Sequence, residues 1–133
     1  MNYLRNTARG IGNAAYENTL LQHLRMTGIR RIIEVLTRIG NVMKTSQEEQ
    51  RDLPKQTIMN QLPLLNQPIE QFEKVKKKLG KNTLTYAKVR YADNTLSSFT
   101  YRVENDPDDT FDKDDLFELT TELEHVIQSF KEI

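Results

Sequence analysis

Cysteine is absent from the 133 residues, and with it every disulfide framework, thiolate nucleophile and cysteine-ligated metal centre. A chain without thiols suits a reducing compartment, so a cytoplasmic, intracellular setting is the expectation. Long apolar runs are also missing. The densest stretch, Ile32 and Ile33 followed by Val35 and Leu36, is interrupted by Glu34, well short of the roughly 20 apolar residues of a membrane span. No secretory leader pattern opens the sequence. Leu4, Ala8, Ile11 and Ala15 fall at helical spacing beside Arg5 and Arg9, but Gly10 and Gly12 interrupt them, each at about 1 kcal/mol of helix propensity. Residues 1–17 therefore read as a flexible or partner-ordered terminus, and 18–133 as a single α+β domain.

The residue types that carry chemistry are sparse. His23 and His125 are the two histidines, and neither sits in a motif. Glu122 precedes His125 by three residues, which reads as a helical pair. Ser97 and Ser98 lack the glycines of a nucleophile elbow. Gly10-Ile11-Gly12 lacks both the preceding strand and the following Lys-Ser/Thr of a phosphate loop. The acidic run Asp106, Asp108, Asp109, Asp112, Asp114, Asp115 invites a calcium loop. Counting from Asp106, however, Phe111 stands where that loop requires glycine, and Phe117 where it requires a bidentate glutamate. Acids gathered there suit a helix N-terminus instead, with Asp109 or Asp112 as the cap. The expectation is a protein without enzymatic activity, metal or cofactor.

The charge that is present is segregated. Lys+Arg and Asp+Glu number 19 each, yet residues 1–91 hold 16 cations against 7 anions, and residues 92–133 hold 3 against 12. Three arrangements satisfy this pattern. The halves fold together and neutralise each other, copies pack head to tail, or the basic half faces a polyanion.

Apolar periodicity predicts the elements. A helix is expected over about 19–46, capped at Asn18 or Thr19, with Ile29, Ile32, Leu36, Ile39 and Met43 on one face and Gly28 as a bend or break. A short helix follows over 56–63, between Pro54 and Pro63. Another over 68–79 carries Ile69, Phe72, Val75 and Leu79, ends in Lys76, Lys77 and Lys78, and has Gly80 placed for a left-handed stop. The period then shortens toward two. Leu84, Tyr86, Val89 and Tyr91, then Phe99, Tyr101 and Val103, read as an antiparallel β-hairpin over 83–104 turning at Asp93-Asn94. A three-residue turn gives it the more uniform apolar face. Asn105–Asp109 breaks the chain, and a long amphipathic helix runs over 111–131.

Two functional surfaces follow. In the last helix Leu116, Leu119, Leu123, Val126, Phe130 and Ile133 repeat at a 3-4-3-4-3 spacing, a seam that suits helix-on-helix packing. It either packs inside the monomer on the Ile29–Met43 face, with Arg30, Arg31 and Arg38 beside Glu118, Glu122 and Glu124, or binds a partner. Protein–protein interaction through this seam, with homodimerisation favoured, is the leading expectation. The alternative is a nucleic-acid surface of Lys74, Lys76, Lys77, Lys78, Lys81, Lys88, Arg90 and Arg102 beside the hairpin aromatics Tyr86, Tyr91, Phe99 and Tyr101. No role at a membrane is expected.

Overall fold

A computed structural model describes residues 15–133. The chain is α+β and dominated by helices. Helix α1 covers 15–24 and passes through a π-helical turn, Arg25–Ile29, into α2, Arg30–Glu48. Then come strand β1 (Leu53–Pro54), helix α3 (Lys55–Met59), a 3-10 turn (Leu62–Leu65) and helix α4 (Asn66–Lys76). Helix α5 (Leu84–Asn105), strand β2 (Thr110–Phe111) and helix α6 (Lys113–Lys131) complete it. Of the expected terminal segment 1–17, residues 1–14 lie outside the described residues. Residues 15–17 are helical, and Glu17 accepts the Gly80 N–H through Oε1 at 2.7 Å.

The largest correction concerns 83–104. This stretch is one 22-residue helix, α5, and not a hairpin. Its buried residues are Val89, Ala92, Leu96, Phe99 and Val103, a 3-4-3-4 spacing that lies in the sequence beside the alternating one. The strand preference of Thr, Tyr, Val and Phe is weak enough for packing to override. Nothing interrupts the helix, because neither glycine nor proline occurs between Gly80 and Pro107. Thr83 begins it, its Oγ1 accepting the Tyr86 N–H at 3.1 Å. Asp93 and Asn94, expected at a turn, sit in mid-helix.

The antiparallel pairing lies elsewhere. Leu53 pairs with Phe111 and Pro54 with Thr110, and the Lys55 N–H extends the ladder to the Asp109 carbonyl at 2.8 Å. This clip ties the loop after α2 to the loop before α6. Two smaller expectations also change. The helix over 56–63 stops at Met59, and Pro63 belongs to the following 3-10 turn, where a residue without an N–H costs nothing. Gly80 is not left-handed; the described residue with positive φ is Gln50, at 55°. There Gln50 N–H donates to Gln47 O and Arg51 N–H to Ser46 O, the paired bonds that close a helix through a left-handed residue. Gly28 lies in the π turn. A Cβ on it would stand 3.0 Å from Leu24 Cδ1 and 3.5 Å from Pro68 O, so its bareness admits the first turn of α4.

The core is one cluster running from Leu21 to Ile133. Helix α6 packs on α2 along one flank and on α5 along the other. Phe72 of α4 meets Phe130 of α6 with ring centroids 5.3 Å apart. Asp112 caps α6 in a reciprocal box. Its Oδ1 accepts the Asp115 N–H at 2.9 Å, and Asp115 Oδ2 accepts the Asp112 N–H at 3.1 Å. The acidic run thus includes the N-cap that the sequence suggested. Among the described residues no helix is long and apolar enough to cross a membrane.

Two stability outcomes follow. Phe130→Ala, in a fully closed part of the core, should lower unfolding free energy by about 3–5 kcal/mol in urea titrations. Gln50→Gly should raise it by about 0.5–1 kcal/mol, because glycine enters the left-handed region without steric cost, and should lift the melting temperature by roughly 2–5 °C.

Candidate functional site

The six seam residues are buried within the chain: Leu116, Leu119, Leu123, Val126 and Phe130 on α6, and Ile133 just beyond it, with α2 and α5 packed on the helix. As a partner-binding surface the seam is corrected to core. Its spacing signalled burial, and the covering neighbour that the sequence misassigned to a hairpin was α5. Arg25 of the π turn closes the end of the seam by donating through its guanidinium to the Ile133 carbonyl, with Nε at 3.1 Å.

The polar border of the α5–α6 contact follows from antiparallel packing. Arg102 lies between two carboxylates one helical turn apart, donating to Glu122 Oε2 at 2.6 Å and Glu118 Oε2 at 2.7 Å. Both bonds hold the guanidinium charged and push its pKa up, the Glu122 bond most strongly. Farther along, Thr95 Oγ1 and Ser129 Oγ share a hydrogen bond at 3.0 Å. The Tyr91 hydroxyl and His125 Nε2 share one at 2.6 Å, ring edge to ring face. The expected Glu122–His125 pair is therefore replaced, with Glu122 going to Arg102 and His125 to Tyr91. Between the helices lies a groove of about 360 Å³ whose walls include Tyr91, Asn94, Ser98, Glu122 and His125.

Charge segregation is partly resolved inside the fold. Lys44 of α2 reaches Glu124 of α6 at 3.1 Å, and Lys76 of α4 reaches Asp93 of α5 at 2.6 Å. Each joins the basic part of the chain to the acidic part. Arg30 and Arg31, expected beside the α6 glutamates, pair instead with Glu34 on their own helix. The predicted polyanion-binding set divides into paired and unpaired cations. Lys74 pairs with Glu70, Lys76 with Glu73 and Asp93, and Arg102 with Glu118 and Glu122. Lys77, Lys78, Lys81, Lys88 and Arg90 are exposed and have no ion-pair partner among the described residues. The hairpin platform for bases is absent. Phe99 is buried and Tyr86 half-buried on the core, while Tyr91 and Tyr101 project into solvent.

Of the aromatics that face water, the sequence pointed to Tyr91 and Tyr101 only as part of a hairpin and did not single out Phe117. Tyr91 keeps 50 % of its surface in water, Tyr101 68 % and Phe117 67 %. Phe117 adjoins Glu118 and Tyr101 adjoins Arg102, so the Arg102–Glu118 bond puts both aromatics at one end of the α5–α6 pair. Assigning 83–104 to a helix in the sequence would have separated these outward aromatics from the buried Phe99.

Comparison with family models, with curated proteins and with solved structures found no match to this chain.

The Lys76 cluster has a pH signature. Burial raises the pKa of Glu73 above its ordinary 4.5, and the hydrogen bond and charge of Asp93 add to this. A raised carboxyl favours the folded state while it is protonated. That contribution is lost as pH climbs from about 4.5 through the folded value. Glu73→Gln, a mimic of the neutral acid, should therefore melt higher than the wild type at pH 7 and close to it at pH 4. Thermal unfolding at the two values measures the difference.

Proposed function

We propose that this chain is a non-enzymatic protein–protein interaction protein of the cytoplasm, a small subunit, adaptor or inhibitor, that works through the outward surface of α5 and α6. The observation that carries the reading is the solvent exposure of Tyr91, Tyr101 and Phe117 on the two helices whose inner faces build the core. Aromatic rings in water lose the benefit of burial, about 1.5–3 kcal/mol for a side chain of this size. Such residues concentrate where proteins meet, because they bring large contact area with few rotatable bonds. The same surface carries the Arg102–Glu118–Glu122 group and the Tyr91–His125 pair, which supply a polar rim with fixed geometry. The site stands on two long, well-packed helices, so binding requires little ordering of the chain.

A second reading rests on Lys77, Lys78, Lys81, Lys88 and Arg90, which stand exposed without an acidic partner among the described residues. A polyanion such as nucleic acid would bind them through phosphate contacts, with an affinity falling steeply with salt. A mobility shift at low salt that disappears at physiological salt would support that reading; no shift at low salt removes it.

For the first reading, the double variant Tyr101→Ala/Phe117→Ala should unfold within about 0.5 kcal/mol of the wild type, since both side chains are at the surface. It should lose the association that the wild-type chain shows in light scattering. A wild-type chain that stays monomeric at high micromolar concentration and holds no protein partner would refute the proposal.

A further inference from the structure

With Val89, Ala92, Leu96, Phe99 and Val103 turned inward, α5 presents a second stripe on its opposite side. Ala87, Tyr91, Asn94, Ser98, Tyr101 and Asn105 are all exposed and fall at a 4-3-4-3-4 spacing. The stripe is a continuous face with two tyrosines on it, and it runs for about 27 Å. The stripe is symmetric about its own middle. A two-fold axis at the level of Leu96 sets Tyr91 against Tyr101 of a second copy, Asn94 against Ser98, and Ala87 against Asn105. Each member thus meets another member of the same stripe.

The charges beside it obey the same symmetry. Arg90 and Glu104 lie on the flank away from α6, both exposed and without an ion-pair partner among the described residues. The two-fold operation brings each near the other's counterpart. On the flank toward α6, Lys88 is exposed and comes within two residues, about 3 Å, of the level of Arg102 of the second copy. That guanidinium is already held by Glu118 and Glu122, so the group carries one surplus negative charge for the lysine.

We infer that the outer face of α5 is a homodimer interface, occupied by α5 of a second copy running antiparallel across a two-fold axis. The inference rests on the protein–protein reading above and names its partner. An isologous contact requires like or complementary residues at about equal distances from the axis, and α5 has them in Tyr91 with Tyr101 and Arg90 with Glu104. The central Asn94–Ser98 layers fix the register at some expense in affinity, and the tyrosines on either side of them provide the buried area.

The test is charge exchange in the full chain, read by sedimentation equilibrium. The wild type should dimerise. Arg90→Glu and Glu104→Arg should each weaken the dimer about tenfold or more, and R90E/E104R together should restore it to near the wild-type value. Restoration cannot arise within one molecule, because the two positions are 14 residues apart on one rigid helix, about 21 Å. As a second measurement independent of those variants, Ser97→Cys near the axis should cross-link into a covalent dimer in this otherwise cysteine-free chain. Gln128→Cys on the outside of α6 should not. A dimer indifferent to both single reversals, or a double variant that stays weak, overturns the inference. So does a monomeric chain whose α5 face is taken by a different protein, although that result leaves the interaction reading standing. Absence of any protein association defeats both.

Discussion

Closure of the α6 seam between two helices is the constraint on which the rest of the molecule depends. Leu116 to Ile133 offers a continuous oily ridge, and a ridge of this length is stable only when both of its slopes are covered. Helix α2 takes one slope and α5 the other. Gly40 of α2 lets the first contact come close, since a Cβ there would stand 3.4 Å from Leu123 Cδ2. The Phe72–Phe130 contact seats α4 at the end of the ridge. Ion pairs at the margins, Lys44–Glu124 and those of Arg102, orient the helices rather than stabilise them strongly, because exposed pairs contribute under about 1 kcal/mol each.

Once the ridge is closed, the character of the surface follows. The strongest apolar face is spent on the core, so recognition has to use whatever the helices show outward. Helix α5 is covered on one side and bare on the other, and its bare side carries tyrosines rather than lysines alone. The same packing determines which charges are occupied. Lys76 is held between Glu73 and Asp93, and Arg102 between Glu118 and Glu122, while Lys88, Arg90 and Glu104 are left to solvent. The segregation of charge along the sequence becomes a few internal bridges together with a surface of alternating sign.

Much of this was legible in particular residues. Ile29 to Met43 and Leu116 to Ile133 kept a helical period without competition from another, and both became long helices. Asp112 sat before an apolar run with Asp115 three positions later, and became the cap. The stretch 83–104 was misread because two periods coexist in it. Tyr91, Tyr101 and Val103 alternate as in a strand, whereas Val89, Ala92, Leu96, Phe99 and Val103 recur as in a helix. Local preference could not choose between them, because side chains that favour strands also pack well on a helix face. The exposed aromatic surface was blurred by the same ambiguity, since a hairpin groups the outward Tyr91 and Tyr101 with the buried Phe99.

By itself the sequence determined the absence of thiol chemistry, the amphipathic faces of α2 and α6, the breaks near Pro54 and Pro107 and the opposed charge of the two parts of the chain. All of these are properties of neighbouring residues. Tertiary structure alone decided that α5 is a helix, that the two short strands lie at 53–54 and 110–111, and which slope of α6 each neighbour covers. It also decided which of the cations and aromatics face water. Those outcomes depend on contacts between residues far apart in the chain, where the free energy of shared burial outweighs the small local preferences that a sequence reveals.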